Sequence, residues 1–377
     1  MDFNLYFKSR QGELIGLLKE IVQSESPTSD KKAVDACSAI LISKLRALGA
    51  KVIRHPQKTV GDFYVVEYPG RADKAARERL LVLTHVDTVW PVGRIARMPF
   101  YIQGDKVFGP GVLDMKAGLV LAFSALRALR EMNLRPRKKI VLFINSSEET
   151  DCAEADALIR TLAKRAAAVL CLEPALPGGA LKVQRKGRLV VRLDSTGRAA
   201  HAGHPEDGIN AIDELNSQLR RLGGLLRSKD VSMNVGVIGG GEKANIVADK
   251  AWALLDFRFW TSAQKAGILS ICRRLSPVLK GAKTKASVEG VTPPMEKTPA
   301  SNRLLESVRT IAAEIGQTLE TGRAGGGSDA SIAAGLGAAT VDGLGPDGDG
   351  MHADQEHLLL SSLVGRAALL TELLHRL

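Results

Sequence analysis

Two stretches, RLLVLTHVDTVWP at 79–91 and VFGPGVLDMKAG at 107–118, decide the reading of this chain. An apolar run of strand length ends abruptly in His85, with Asp87 two residues on. Uninterrupted apolar runs of this length belong to strands buried on both faces, the usual state in a parallel sheet. A glycine-rich turn then delivers Asp114 to the start of MKAGLVLAFSALRALREM, whose apolar residues recur at helical spacing. Polar side chains set so sharply at the ends of apolar elements make poor core. They suit a metal site.

The same punctuation recurs downstream. KIVLFIN (139–145) runs into Ser146-Ser147-Glu148-Glu149, and after a helical stretch at 153–165, AAVLCL (167–172) runs into Glu173-Pro174. Upstream, 11–22 and 31–49 read as helices and 51–54 and 62–67 as strands. Strands alternating with helices predict an α/β fold, a doubly wound and mostly parallel sheet with helices on both faces. In such sheets ligands sit beyond the carboxyl ends of the strands, where His85, Glu148, Glu149 and Glu173 all fall.

After Gly178-Gly179 the texture changes. Residues 182–194 alternate apolar and polar, a helix follows at 208–226, and 231–238, 251–260 and 284–289 read as further strands. This predicts an inserted α+β domain with an antiparallel sheet at 183–290, between segments of the first domain at 1–182 and 291–377. In the last segment the prolines of GVTPPMEKTPASN mark a linker, and helices are expected at 304–316 and 356–377. Between those helices lie the glycine-rich turn GGGSDA (325–330), a strand in AATVDGLG and the loop PDGDGMHADQ, which carries His352.

A chain of 377 residues is long for one core, which supports two domains. The net charge of +11 favours anionic partners. Its basic residues are dispersed and aromatics make up only 4%, so no nucleic-acid partner is expected. No apolar run approaches a membrane span. The opening residues lack signal-peptide regions and the 4 cysteines form no C-x-x-C pair. Together these predict a cytoplasmic protein without membrane association, a periplasmic one staying open if this start is not the native one.

Two histidines and at least three carboxylates converge in this reading, more than one tetrahedral zinc needs. A carboxylate shared by two metals roughly 3.5–4 Å apart would use them all, and Asp114 on its turn fits that bridge. Glu148 and Glu149 are adjacent, so their side chains diverge, and one can bind metal while the other accepts a proton from water. No HExxH, dinucleotide fingerprint, P-loop or nucleophile elbow competes.

The motifs THVDTV, GPGVLDMKAG, SSEET, LEPA, RAAHAG and GMHADQEHL, in this order, resemble the di-zinc exopeptidases. That family includes glutamate carboxypeptidase, acetylornithine deacetylase, succinyl-diaminopimelate desuccinylase and aminoacylase, and the likeness is greatest to bacterial glutamate carboxypeptidases. It implies two Zn2+ per chain, with Co2+ or Mn2+ as substitutes. One would be held by His85, Asp114 and Glu173 and the other by Asp114, Glu149 and His352, with Glu148 as general base and Asp87 orienting His85. The inserted domain would be the family's lid and dimerisation domain, making a homodimer.

The resemblance also gives His201 the role of polarising the substrate carbonyl, and Asn245 and Arg258 that of holding its carboxylate. Gly326, Gly327 and Ser328 lie in the matching glycine-rich loop near the substrate. Lys182 matches loosely the basic residue that reads a substrate's side-chain carboxylate, with a solvated basic strand as the alternative. Glu173, where aminopeptidases of this family carry aspartate, implies a deacylase or carboxypeptidase. The segment after the glutamate pair, TDCAEADA, departs from the small residues of many relatives and alters the adjacent pocket.

The expected function is hydrolysis of the amide before a C-terminal amino acid, glutamate foremost, in a peptide or N-acyl amino acid with a free carboxylate. Deacylation of a small N-acyl amino acid is the alternative within enzymes. A catalytically silent metal-binding protein is a third reading, against which the complete ligand set and Glu148 argue.

Overall fold

The computed structural model describes residues 2–71, 79–226 and 230–377. The chain forms two compact units, one comprising Met1–Val183, Lys297–Ala324 and Ser328–Leu377, the other Gln184–Glu296 and Gly325–Gly327.

The first unit is built on a six-stranded sheet in the order Lys51–His55, Phe63–Tyr68, Lys139–Asn145, Arg79–His85, Ala168–Cys171, Thr340–Val341. The last four run parallel, and the two at the other edge pair antiparallel. The apolar runs behave as their composition dictates. Arg79–His85 and Lys139–Asn145 are buried along all but their first residue, since helices cover both faces of a parallel core. Helix Ala117–Glu131 is buried nearly all round and packs against the C-terminal helix Leu360–Arg376.

Local structure departs from expectation in three places. The strand in AATVDGLG is only Thr340–Val341. The C-terminal helix starts at Leu360, because His357–Leu359 is instead a strand pairing antiparallel with Lys106–Phe108. The segment joining the two opening stretches is therefore not a plain connector. With Tyr101–Gln103 and Gly348–Asp349 it completes a small four-stranded sheet whose members come from distant parts of the chain.

The second unit has a four-stranded antiparallel sheet in the order Ser232–Gly240, Lys250–Phe259, Gly187–Thr196, Lys283–Thr292. Period-two burial of Gly187–Thr196 and Lys250–Phe259 turns Leu189, Val191, Leu193, Ala253, Leu255 and Phe257 into one core. Helices Ala211–Leu225 and Ser262–Arg273 pack on that face. No helix of the described residues is long and apolar enough to cross a membrane.

Candidate metal centre and active site

Strand register brings the site together. His85 and Asn145 are opposite one another at the ends of neighbouring parallel strands, with Glu148 three residues beyond and Glu173 just past the next strand. Asp114 arrives on the turn after Gly111, whose φ of +69° suits glycine and whose added Cβ would lie 2.5 Å from Thr88 Cγ2.

Asp114 faces two imidazoles. Its Oδ1 lies 3.2 Å from His85 Nε2 and its Oδ2 lies 3.4 Å from His352 Nε2. Glu173 Oε1 is 3.5 Å from His85 Nε2, and Glu149 Oε1 is 3.2 Å from His352 Nε2. Donors about 2.0–2.1 Å from a tetrahedral ion stand about 3.3–3.4 Å from each other, so all four spacings fit ligands of a common ion. Ligand atoms of His85, Asp114 and Glu173, of Asp114, Glu149 and His352, and of His85, Glu148 and Glu149 each gather within 4.8 Å. These groups could hold metal. Four carboxylates crowded with little water also need positive charge to offset their repulsion.

Hydrogen bonds set which atoms are offered. His85 Nδ1 is 3.0 Å from the backbone carbonyl of Asp87, which can only accept, so Nδ1 carries the proton and Nε2 keeps its lone pair. The expected orienting role of the Asp87 side chain is thereby modified. Its carboxylate stands 3.5 Å from Nδ1 and instead accepts the backbone N–H of Glu148 on Oδ1 and of Glu149 on Oδ2, each at 3.2 Å. Thr28 Oγ1 donates to it as well, at 2.7 Å.

Sequence reasoning passed over three buried groups around the ligands. Asn145 donates to both oxygens of Asp329, at 2.9 and 3.1 Å, and accepts from the N–H of Ser147 at 3.0 Å, tying down the turn that carries Glu148. Glu356, fully buried, accepts from Trp90 Nε1 and from the N–H groups of Gly111, Leu113 and Asp114, at 2.9–3.1 Å. A strand-ending Asn and a Glu four residues after His352 were the only available signals, and both residue types are usually solvated.

Titration follows the crowding. Burial, and then the neighbouring Glu173 carboxylate, push the Glu148 carboxyl well above its ordinary range. Hydrogen bonds to Asp114 and Glu149 raise His352 to about 10. Burial alone would lower His85, but Asp114, Asp87 and Glu173 outweigh it and hold the ring well above its usual value. A bound divalent cation would reverse each of these balances.

Residues 81–376 match the family model for peptidase family M20/M25/M40. This chain belongs to that family. Among M20 relatives, carboxypeptidase G2 of Pseudomonas sp. (strain RS-16) is 30% identical over 374 residues, covering 96% of this chain and 89% of that protein. An acetylornithine deacetylase of Edwardsiella ictaluri is 27% identical over 266 residues, 65% of this chain and 67% of its own. The fold matches aminopeptidase PepT from Bacillus cereus ATCC 10987, with a TM-score of 0.80 at 24% identity over 97% of this chain and 98% of that one. The M20 chain is accordingly a hydrolytic enzyme of the metallopeptidase and amidohydrolase class.

The other expected residues of this M20 chain lie as follows. In the second unit His201 Nδ1 accepts the N–H of Gly203 at 3.0 Å, so the ring presents Nε2 as a donor. Asn245 is on the adjoining segment, its carbonyl accepting from the N–H of Ala202 at 3.0 Å. Arg258 and Arg188 are cross-strand partners, and each donates Nε to Asp256 at 2.7 Å. The carbonyls of Gly326 and Gly327 accept from Arg185 Nη1 at 3.2 and 3.0 Å. In the first unit Ser328 is buried and caps the N–H of Ala330 at 3.2 Å. Lys182 is only 3% exposed, its backbone pairing with Asp342. The solvated basic strand entertained for it is therefore incorrect, and a side chain so enclosed has little surface to offer a substrate carboxylate.

Proposed function

We propose that this enzyme hydrolyses the amide bond before a C-terminal amino acid, with glutamate preferred. It would use two zinc ions, one on His85, Asp114 and Glu173 and one on Asp114, Glu149 and His352. The observation that carries this reading is Asp114, whose two oxygens face two different imidazoles at 3.2 and 3.4 Å. When bound, the ions would polarise the scissile carbonyl and acidify a water. Glu148 takes the proton of that water and returns it to the leaving amine, a role suited to a carboxylate fixed by its backbone beside the ligands. His201 donates from Nε2 to the carbonyl oxygen as charge develops there. Asn245 and the forked guanidinium of Arg258 hold the free carboxylate, while Asp256 presets the Arg258 orientation.

Carboxypeptidase action is supported by the similarity to carboxypeptidase G2, glutamate by the motif resemblance to glutamate carboxypeptidases and by the +11 net charge, and the glutamate at position 173 argues against an aminopeptidase. Deacylation of N-acyl amino acids is the second reading, supported by the similarity to acetylornithine deacetylase. Elemental analysis paired with a panel of C-terminal glutamate amides and other N-acyl amino acids tests both. Two zinc per chain with release of glutamate is expected. Two zinc with cleavage confined to other acyl amino acids would transfer the specificity to the second reading, and absence of metal and turnover would refute the mechanism. A homodimer through the inserted unit is proposed on its edge strand Ser232–Gly240, which exposes Val235, Val237 and Ile238. Sedimentation at micromolar concentration tests it, and a single monomeric species would refute it.

A further inference from the structure

Glu356 stands outside every role given so far, yet it touches the turn of one candidate ligand and the loop of another. Its side chain is completely buried. One oxygen accepts the N–H of Leu113 at 3.0 Å and of Asp114 at 3.1 Å, and the other accepts Trp90 Nε1 and the N–H of Gly111, both at 2.9 Å. Four donors converge on one carboxylate, so both oxygens must be acceptors. An amide in its place would turn an NH2 toward two N–H groups.

The loop on which Glu356 sits holds His352 in an unfavourable posture. His352 has a φ of +59°, in the left-handed region, and its side chain is half exposed. His85, by contrast, closes a buried strand and has its ring fixed from behind. Beyond the pairing of Gly348–Asp349 with His357 and Leu358 that closes the loop, the His352 segment is held by Glu356 and by a surface ion pair between Arg94 and Asp354. Surface pairs of this kind contribute little.

We propose that Glu356 is a positioning residue for the second metal. By clasping the Gly111–Asp114 turn from the His352 loop, it keeps Asp114 Oδ2 and His352 Nε2 in register for one ion. The His85 position shares Asp114 but takes His85 and Glu173 from strand ends that Glu356 does not touch, so it depends on Glu356 less. This inference rests on the two-metal reading above and assigns unequal dependence to its two positions.

The test measures Zn2+ and Co2+ binding by equilibrium dialysis with elemental analysis, on full-length wild-type, Glu356→Gln and Trp90→Phe proteins. Wild type should bind two ions. Glu356→Gln should bind one ion within a few-fold of wild type and the other roughly 10- to 100-fold more weakly, and an equal loss at both positions would overturn the proposal. Trp90→Phe, which removes one of the four donors and leaves the carboxylate, should weaken the same position less, and it decides the matter if Glu356→Gln does not fold. Two ions at unchanged affinity in the folded variants, even with lowered thermal stability, would overturn the proposal and leave the two-metal reading intact. Fewer than two ions in the wild type would overturn that reading itself.

Discussion

Asp87 Oδ1 accepts the backbone N–H of Glu148 at 3.2 Å, so the residue beside His85 also fixes the turn of the proposed base. One carboxylate thus joins two strand ends. Asp87→Ala should lower kcat roughly 10- to 100-fold at saturating metal, since it frees the Glu148 and Glu149 backbone and removes the carboxylate behind His85, although the Asp87 carbonyl still holds the ring. Asp87→Asn keeps the shape and one oxygen and should fall between. Full kcat and full metal affinity in Asp87→Ala would show that neither strand end needs the link.

Glu148→Ala and Glu148→Gln should retain metal while turnover drops by about 10²–10⁴-fold, the usual share of a general base. Elemental analysis alongside initial rates separates the two effects. Parallel loss of metal and rate would make Glu148 a ligand with His85 and Glu149, a grouping their spacing also permits.

Arg258→Lys replaces a planar fork with a point charge and abandons the Asp256 contacts. Charged hydrogen bonds of this kind are worth about 1.5–3 kcal/mol, so KM should rise roughly 10- to 100-fold for substrates with a free C-terminal carboxylate. Substrates whose carboxylate is capped as an amide should be nearly indifferent to the change. An equal rise for both would remove Arg258 from carboxylate recognition.

Glu214 supplies a pH prediction from the second unit, which contains none of the candidate metal ligands. Fully buried in the second unit, it accepts from the N–H groups of Val278 and Leu279, from Thr284 Oγ1 and from Gln218 Nε2, at 2.6–3.1 Å. Burial raises its carboxyl pKa, but these donors outweigh burial and the net shift is downward from 4.5. Its stabilising contribution is then complete above that value and is lost as pH falls through the lower folded one. Glu214→Gln should cost about 2–3 kcal/mol near pH 7, and the gap to wild type should narrow below about pH 4. Urea midpoints at both pH values check this, and a gap that widens in acid would contradict the sign.

Legibility in the sequence followed burial. His85, Glu148 and Glu173 could be read because each interrupts an apolar run that only a doubly covered strand would carry. The period-two pattern of Gly187–Thr196 and Lys250–Phe259 likewise announced a different sheet. Lys106–Phe108 and His357–Leu359 were illegible, because three residues are too short for a period and their pairing spans most of the chain. Glu356 and Asn145 escaped for a related reason. Their importance lies in the distant backbone and side-chain groups they bond, and nothing local distinguishes them from solvated residues.

The first unit is assembled from segments on either side of the second, and its sheet takes its last parallel strand from Thr340–Val341. On the ribosome, five of the six proposed ligand and base residues emerge well before His352. Throughout the synthesis of the second unit a nascent chain therefore holds those five residues without the last strand of their sheet and without His352. Hydrolytic competence arrives only near the end of translation, and a product truncated before residue 340 lacks both the closing strand and the last imidazole.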